Sequence, residues 1–199
     1  DYADELYAVL PFEKDYFLKK HNINANFFGH PLMDDLKKYK PKKIESKKPI
    51  ISILPGSRKQ EISKILAKVL KICKYFPDFR FIIAGVNHID EKTYQKILSD
   101  NNSNVEVVYD RTYEIINSSK LSIVTSGTAT LETALLNTPQ IVCYVTSPLN
   151  ILLAKLFVKI KFISLVNLIC NKEIIKEFIQ SEVNENNLKK EINNILNGK

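Results

Sequence analysis

The chain has 199 residues, of which 45% are hydrophobic and 26% are charged, and its formal net charge is +7. This composition is ordinary for a globular protein, so we do not expect a disordered chain. The basic excess favours anionic partners: nucleic acid, acidic lipid or phosphorylated metabolites. The three cysteines form no C-x-x-C pair, which argues against a disulfide framework or a zinc site and favours a reduced, cytosolic setting.

The first 49 residues predict two short strands around a helix, followed by a basic connection. The predicted elements are a strand at 5–9, a helix at 13–20 and a strand at 26–28. Residues 37–48 then hold seven lysines and one acid, Glu45, which is typical of a solvated linker. We therefore divide the chain into a leading segment (1–36), a basic linker (37–49) and a regular domain (50–199).

Beyond residue 49, short apolar runs alternate with amphipathic stretches, which predict buried strands and helices respectively. The predicted strands are 50–54, 79–84, 105–109, 121–125 and 140–145. The predicted helices are 62–76, 91–98, 113–117, 128–136, 150–159, 172–180 and 186–196. This alternation predicts an α/β fold with a Rossmann-like parallel sheet and helices on both faces.

In such a sheet, ligands bind outside the carboxyl ends of the strands, and two strand-to-helix turns carry polar chemistry there. In the first turn, Gly56 allows close approach of the backbone and Ser57 precedes a helix start that suits a phosphate. Arg58 adds a planar, permanently charged guanidinium group that can bind a diphosphate through several N–H donors. Ser57 with Gln60 also fits a capping box, and both interpretations can hold together.

The second turn places Ser126, Gly127 and Thr128 at a helix start, with Glu132 one turn inside that helix. The Glu132 carboxylate suits two sugar hydroxyls, or alternatively only favours the positive end of the helix. Together, an anion site and a polyol site on neighbouring strand ends predict a nucleoside diphosphate sugar as the ligand. The sequence has no phosphate-binding loop of the G-x-x-x-x-G-K-[ST] type, no G-x-G-x-x-G and no Asp-x-Asp pair, so we predict no cofactor and no metal.

Both turns resemble signatures of the lipid-A-disaccharide synthases, namely residues 54–58 followed by Glu61-Ile62, and residues 126–132. Shorter motifs of that family follow in the same order along the chain. They are Pro11-Phe12-Glu13, Gly29-His30-Pro31, Tyr144, Leu165-Val166-Asn167-Leu168 and Glu177-Phe178-Ile179-Gln180. The resemblance therefore covers essentially the whole chain.

The resemblance implies one half of a two-domain, inverting glycosyltransferase of the GT-B type. The family joins UDP-2,3-diacylglucosamine to 2,3-diacylglucosamine 1-phosphate and releases lipid A disaccharide 1-phosphate and UDP. Residues 1–36 would lead from a missing N-terminal domain that supplies the catalytic base. Residues 50–199 would form the UDP-sugar-binding domain, so we expect no turnover from this chain alone.

The catalytic role that the resemblance leaves to this chain is stabilisation of the leaving group, mainly by Arg58. Asn167 and Gln180 are predicted as donor contacts on the resemblance alone. The full set of predicted UDP-sugar contacts is Gly56, Ser57, Arg58, Ser126, Gly127, Thr128, Glu132, Asn167 and Gln180.

The acylated substrates imply work at the cytoplasmic face of the bacterial inner membrane. Residues 150–163 combine apolar bulk with Lys155, Lys159 and Lys161, which predicts docking on an anionic bilayer or, equally, a core helix with a basic outer face. The longest uncharged stretch, 133–154, is interrupted by prolines, so we predict no membrane span.

Two alternatives stay open. One is another UDP-sugar enzyme, such as a peptidoglycan N-acetylglucosaminyltransferase or a UDP-sugar epimerase. The other is a non-catalytic module that binds a membrane surface or nucleic acid through the basic linker. Tyr39 is the only aromatic residue of that linker, which argues against nucleic acid.

Overall fold

The computed structural model describes residues 4–40, 42–146 and 161–198. Its leading segment consists of β1 (Leu6–Tyr7), α1 (Pro11–His21), β2 (Ala25–Asn26) and α2 (Leu32–Lys38). β1 and β2 pair in parallel, with Leu6 opposite Ala25. The sequence does not predict α2, which takes in the first two lysines of the predicted linker. Two aspartates in its first turn and two lysines in its last turn complement the helix dipole.

The main sheet has six parallel strands. They are β3 (Ile50–Leu54), β4 (Arg80–Gly85), β5 (Glu106–Tyr109), β6 (Ser119–Thr125), β7 (Gln140–Tyr144) and β8 (Glu177–Ile179). Their spatial order is β5-β4-β3-β6-β7-β8, so the chain builds outward from β3 and then returns to continue on the other side. β3 and β6 meet at this switch point, where the buried hydroxyls of Ser52 and Ser122 share a 2.7 Å hydrogen bond.

Helices cover both faces of the sheet. They are α3 (Lys59–Val69), α4 (Glu91–Asp100), α5 (Thr112–Ser118), α6 (Thr128–Leu135), α7 (Leu165–Cys170) and α8 (Glu185–Leu196), with 3₁₀ turns at Leu70–Tyr75 and Gln180–Glu182. Successive residues of a strand point to opposite faces. Ile51 and Ile53 of β3 therefore join the core under α3 and α8, while Ile50 and Leu54 join the core under α5. The predicted α/β fold is confirmed.

The predicted helix over residues 172–180 is wrong, because β8 lies within that range. Ile174, Ile175 and Phe178 recur at helical spacing, but Phe178 is buried as a strand residue opposite Cys143 of β7. Pairing with an existing strand overrides the local pattern. The predicted helix over residues 150–159 lies outside the described residues.

Candidate functional site

A cavity of about 440 Å³ opens at the carboxyl edge of the sheet, where β3, β4 and β6 end. Its position at the switch point is the usual ligand-binding place in open α/β sheets, and its volume suits a small organic ligand. Seven of the nine predicted contacts line it: Gly56, Ser57, Arg58, Ser126, Gly127, Thr128 and Glu132. Asn167 and Gln180 do not.

A larger cavity of about 880 Å³ lies at the opposite, amino-terminal edge of the sheet. Among its basic side chains, Lys48 and Arg80 already have partners. Lys48 Nζ donates to the Pro77 carbonyl, and Arg80 pairs with Glu106. We therefore assign the site to the smaller cavity, which is lined by most of the predicted contact residues.

The β3–α3 turn depends on Gly56, whose φ is +94°. A Cβ atom at this position would lie 3.3 Å from Glu61 Oε2 and 3.3 Å from Thr125 Cγ2. Glycine therefore lets the turn pass close to the end of β6. The predicted capping box is wrong: Arg58 occupies the N-cap and no side chain caps the helix. The first-turn N–H groups of α3 thus have no partner within the helix.

Arg58 stands at the mouth of the cavity, with 80% of its side chain exposed. Its guanidinium donates to Glu61 Oε1 at 2.7 Å, and Glu61 itself is only 18% exposed. The hydrogen bond and charge of Glu61 raise the pKa of Arg58. The arrangement anchors one edge of the guanidinium and leaves its other donors for an anion.

At the β6–α6 turn, Gly127 is the N-cap of α6. The Ser126 hydroxyl donates to the carbonyl of Ile163 at 2.6 Å, so it ties the turn to the segment before α7. Thr125 Oγ1 is buried and has no hydrogen-bond partner within the described ranges. Thr125 itself lines the cavity.

Glu132 is half-buried in the cavity wall and accepts a hydrogen bond from the Tyr113 hydroxyl at 3.2 Å. Burial raises the pKa of Glu132, while the Tyr113 hydrogen bond lowers it. Burial, together with the neighbouring Glu132 charge, raises the pKa of Tyr113 to about 12. Tyr113 therefore stays protonated and acts as a donor at neutral pH.

Asn167 is fully buried, and its amide is occupied within the protein. Its Nδ2 donates to the Ile175 carbonyl and to Glu177 Oε1, and its Oδ1 accepts from the backbone N–H groups of Ile174 and Ile175. A substrate contact from this amide would replace one of these bonds. Its predicted donor contact stays a prediction.

Gln180 lies beside the end of β7, where its amide donates to the Thr146 carbonyl at 3.4 Å. A neighbouring cavity of about 330 Å³ is lined by Thr146, Tyr144 and Arg58, so Arg58 borders both cavities. Gln180 does not line this cavity itself, but its amide contacts Thr146, which does.

Sequence reasoning missed two residues that support the site. His88, in the loop after β4, donates from Nε2 to the Ser57 carbonyl at 2.7 Å and so braces the β3–α3 turn. Tyr113, at the start of α5, holds Glu132. Each is a single residue on a separate element, so no local pattern signals it.

The remaining predictions concern metals and the membrane. Across the described ranges, no three His, Cys, Asp or Glu side chains are grouped so that they could hold a metal ion. In the same part of the chain, no helix is both long and apolar enough to cross a bilayer. The predicted docking segment lies outside the described residues up to residue 160.

Comparison with known proteins identifies the family. The profile of the lipid-A-disaccharide synthetases matches residues 1–199. The lipid-A-disaccharide synthase of Wigglesworthia glossinidia brevipalpis is 36% identical over 210 residues, which cover 99% of this chain and 54% of that protein. That of Blochmanniella pennsylvanica is 33% identical, with 98% of this chain and 53% of that protein covered. The chain thus spans about half the length of these relatives.

Solved structures of similar fold include two epimerase structures. A putative UDP-N-acetylglucosamine 2-epimerase from Listeria monocytogenes matches with a TM-score of 0.68 at 14% identity, covering 98% of this chain and 51% of that one. The UDP-GlcNAc 2-epimerase of Neisseria meningitidis, solved with UDP-GlcNAc, has a TM-score of 0.52 at 19% identity, covering 99% and 61%. Identities this low show the fold alone. The family is shown by the sequence, and the chain belongs to the lipid-A-disaccharide synthetases, glycosyltransferases of lipid A biosynthesis.

Proposed function

We propose that this chain supplies the donor site of an inverting glycosyltransferase that joins UDP-2,3-diacylglucosamine to 2,3-diacylglucosamine 1-phosphate. The observation that carries the proposal is one cavity that joins an anion-binding helix start with Arg58 to the carboxylate of Glu132. UDP needs both features, since its diphosphate requires donors and its ribose requires an acceptor.

In this proposal the diphosphate lies against the start of α3 and the guanidinium of Arg58. Negative charge builds on the diphosphate as the glycosidic bond breaks, and fixed donors stabilise that charge without reorganisation. The backbone N–H groups at Gly127 and Thr128 add to this set. The donor sugar then extends past Arg58 towards the cavity near Tyr144 and Gln180.

The leading segment is proposed to be the end of an N-terminal half that holds the acceptor and the catalytic base. α1 has no buried residue, and Phe28 beside β2 is 82% exposed. A two-stranded parallel sheet is marginal by itself, because parallel sheets are normally covered on both faces. These surfaces fit a segment that packs against further structure, so we expect this chain alone to give no turnover.

The lipid substrates support a peripheral location at the cytoplasmic face of the inner membrane. Residues 150–163 are the proposed contact with anionic lipid, through apolar side chains and three lysines.

Calorimetric titration of the 199-residue chain with UDP tests the donor site. We expect saturable binding that does not require magnesium, because the proposed diphosphate contacts are protein donors. Circular dichroism of the same sample establishes that the chain is folded. A folded chain that shows no binding at millimolar UDP would disprove the proposal.

A further inference from the structure

Glu132, the carboxylate proposed to hold the ribose, is itself held by a residue of another element. The Tyr113 hydroxyl of α5 donates to Oε1, one of its two carboxylate oxygens. Over the described residues, no lysine or arginine forms an ion pair with Glu132, and its Oε2 atom accepts no hydrogen bond. The orientation of this carboxylate in the unliganded protein therefore depends on Tyr113.

The Tyr113 ring is fixed from two sides. It packs against the buried cluster to which Ile115 and Ile116 of α5 belong. The ring of Tyr39 lies edge-on to it, with 5.0 Å between the ring centroids and 76° between the ring planes. Tyr39 directly follows α2, which contacts α6, the helix that carries Glu132. Helix α2 thus contacts the helix that carries the carboxylate, and the Tyr39 residue after it contacts the phenol.

We propose that Tyr113 is a positioning residue for ribose recognition and that Tyr39 packs behind it, so that the end of α2 holds the Glu132 carboxylate in place. The inference rests on the proposed function, in which Glu132 accepts hydrogen bonds from the ribose. With Oε1 engaged by Tyr113, the carboxylate plane is fixed and Oε2 is left for a ribose hydroxyl. Tyr113 acts through Glu132 and does not contact the nucleotide.

The same hydrogen bond affects the protonation of Glu132. It lowers the pKa of the carboxyl group against the effect of burial, which raises it. Removing the hydroxyl therefore raises the pKa of Glu132 further. The variant carboxylate then takes up a proton at a higher pH than the wild-type carboxylate, and a purely structural role of Tyr113 would not produce this shift.

The test compares the affinities of the chain for UDP and for 2′,3′-dideoxy-UDP, measured by calorimetry. In Tyr113→Phe we expect the preference for UDP to fall about tenfold, with the affinity for the dideoxy nucleotide unchanged. The preference should also disappear on acidification at a higher pH than in the wild type. Tyr109→Phe is the matched control, because the buried Tyr109 hydroxyl has no hydrogen-bond partner among the described groups.

Two further variants test the packing behind the phenol. Tyr39→Ala should lower the preference for UDP about threefold, whereas Tyr39→Phe, which keeps the ring, should retain it. If Tyr113→Phe keeps the wild-type preference, or weakens both nucleotides equally, Tyr113 does not position Glu132. Wild-type binding of UDP with no preference over the dideoxy nucleotide overturns this inference but leaves the diphosphate site intact. Absence of any UDP binding removes the proposed function itself.

Discussion

Replacing Arg58 by alanine removes the cation at the mouth of the cavity and leaves the core untouched. The side chain is largely exposed and its ion pair is with Glu61, at 2.7 Å. Because the guanidinium end of this pair is exposed to solvent, the pair contributes little to folding, and the variant should unfold at nearly the wild-type denaturant concentration. Hydrogen bonds to charged groups are strong, so we expect the Kd of UDP to rise roughly ten- to a hundredfold. The Kd of uridine, which has no phosphate, should change less than about twofold on the same principle.

Calorimetric titrations with UDP and with uridine measure the two effects. Arg111→Ala is the matched control. Like Arg58, Arg111 is the N-cap of a helix and pairs with a glutamate three residues later, Glu114. Unlike Arg58, it does not line the cavity. The control should bind both ligands like the wild type. Equal losses for UDP and uridine in Arg58→Ala would refute the reasoning, since Arg58 would then act through the fold.

Three further predictions concern the fold around the site and the membrane. Gly56→Ala should lower the free energy of unfolding in urea by about 1–2 kcal/mol or more, because the strain from its positive φ adds to its close contacts. Gly29 also has a positive φ but lies in open space, so Gly29→Ala should lower the free energy of unfolding by less. Asn167→Ala should lower the free energy of unfolding by about 2–4 kcal/mol, as it leaves buried groups unpaired; an unchanged thermal midpoint would contradict this. Changing the three lysines of residues 150–163 to glutamine should weaken sedimentation with anionic vesicles, by about 1 kcal/mol per lysine at low salt, with UDP affinity unchanged. Unaltered vesicle binding would move the membrane contact elsewhere.

The strands of the central sheet were predictable because burial on both faces leaves a plain signal. All five residues of Ile50–Leu54 are buried, and the run is apolar except for Ser52. β8 carries no such signal, because it has only three residues and is stabilised by its pairing with β7. α2 was not predicted, for a different reason. Its two lysines resemble part of a lysine-rich linker, whereas together with the two preceding aspartates they form the charge pattern of a short helix.

The two turns of the candidate site were predictable from the sequence, but the residues that hold those turns and Glu132 in place were not. Glycine and hydroxyl residues after two apolar strands mark turns, and the rules of parallel sheets bring such turns to one edge. His88 reaches the site from the loop after β4 and Tyr113 from the start of α5, so only the tertiary structure reveals them. The direction of the Ser126 hydroxyl, towards Ile163, also follows from a contact distant in sequence.

The pairing of β3 with β6 has a consequence for the order of events during folding. Ser52 and Ser122, bonded at the switch point, are 70 residues apart along the chain. Each turn can form locally with its own helix, but the two face one another only after this distant pairing, which is slow compared with helix formation. The proposed capacity to bind a nucleotide should therefore arise late in refolding, after most of the helix content has formed. A nucleotide that selects the finished site stabilises the whole sheet by mass action, and neither turn alone receives that stabilisation.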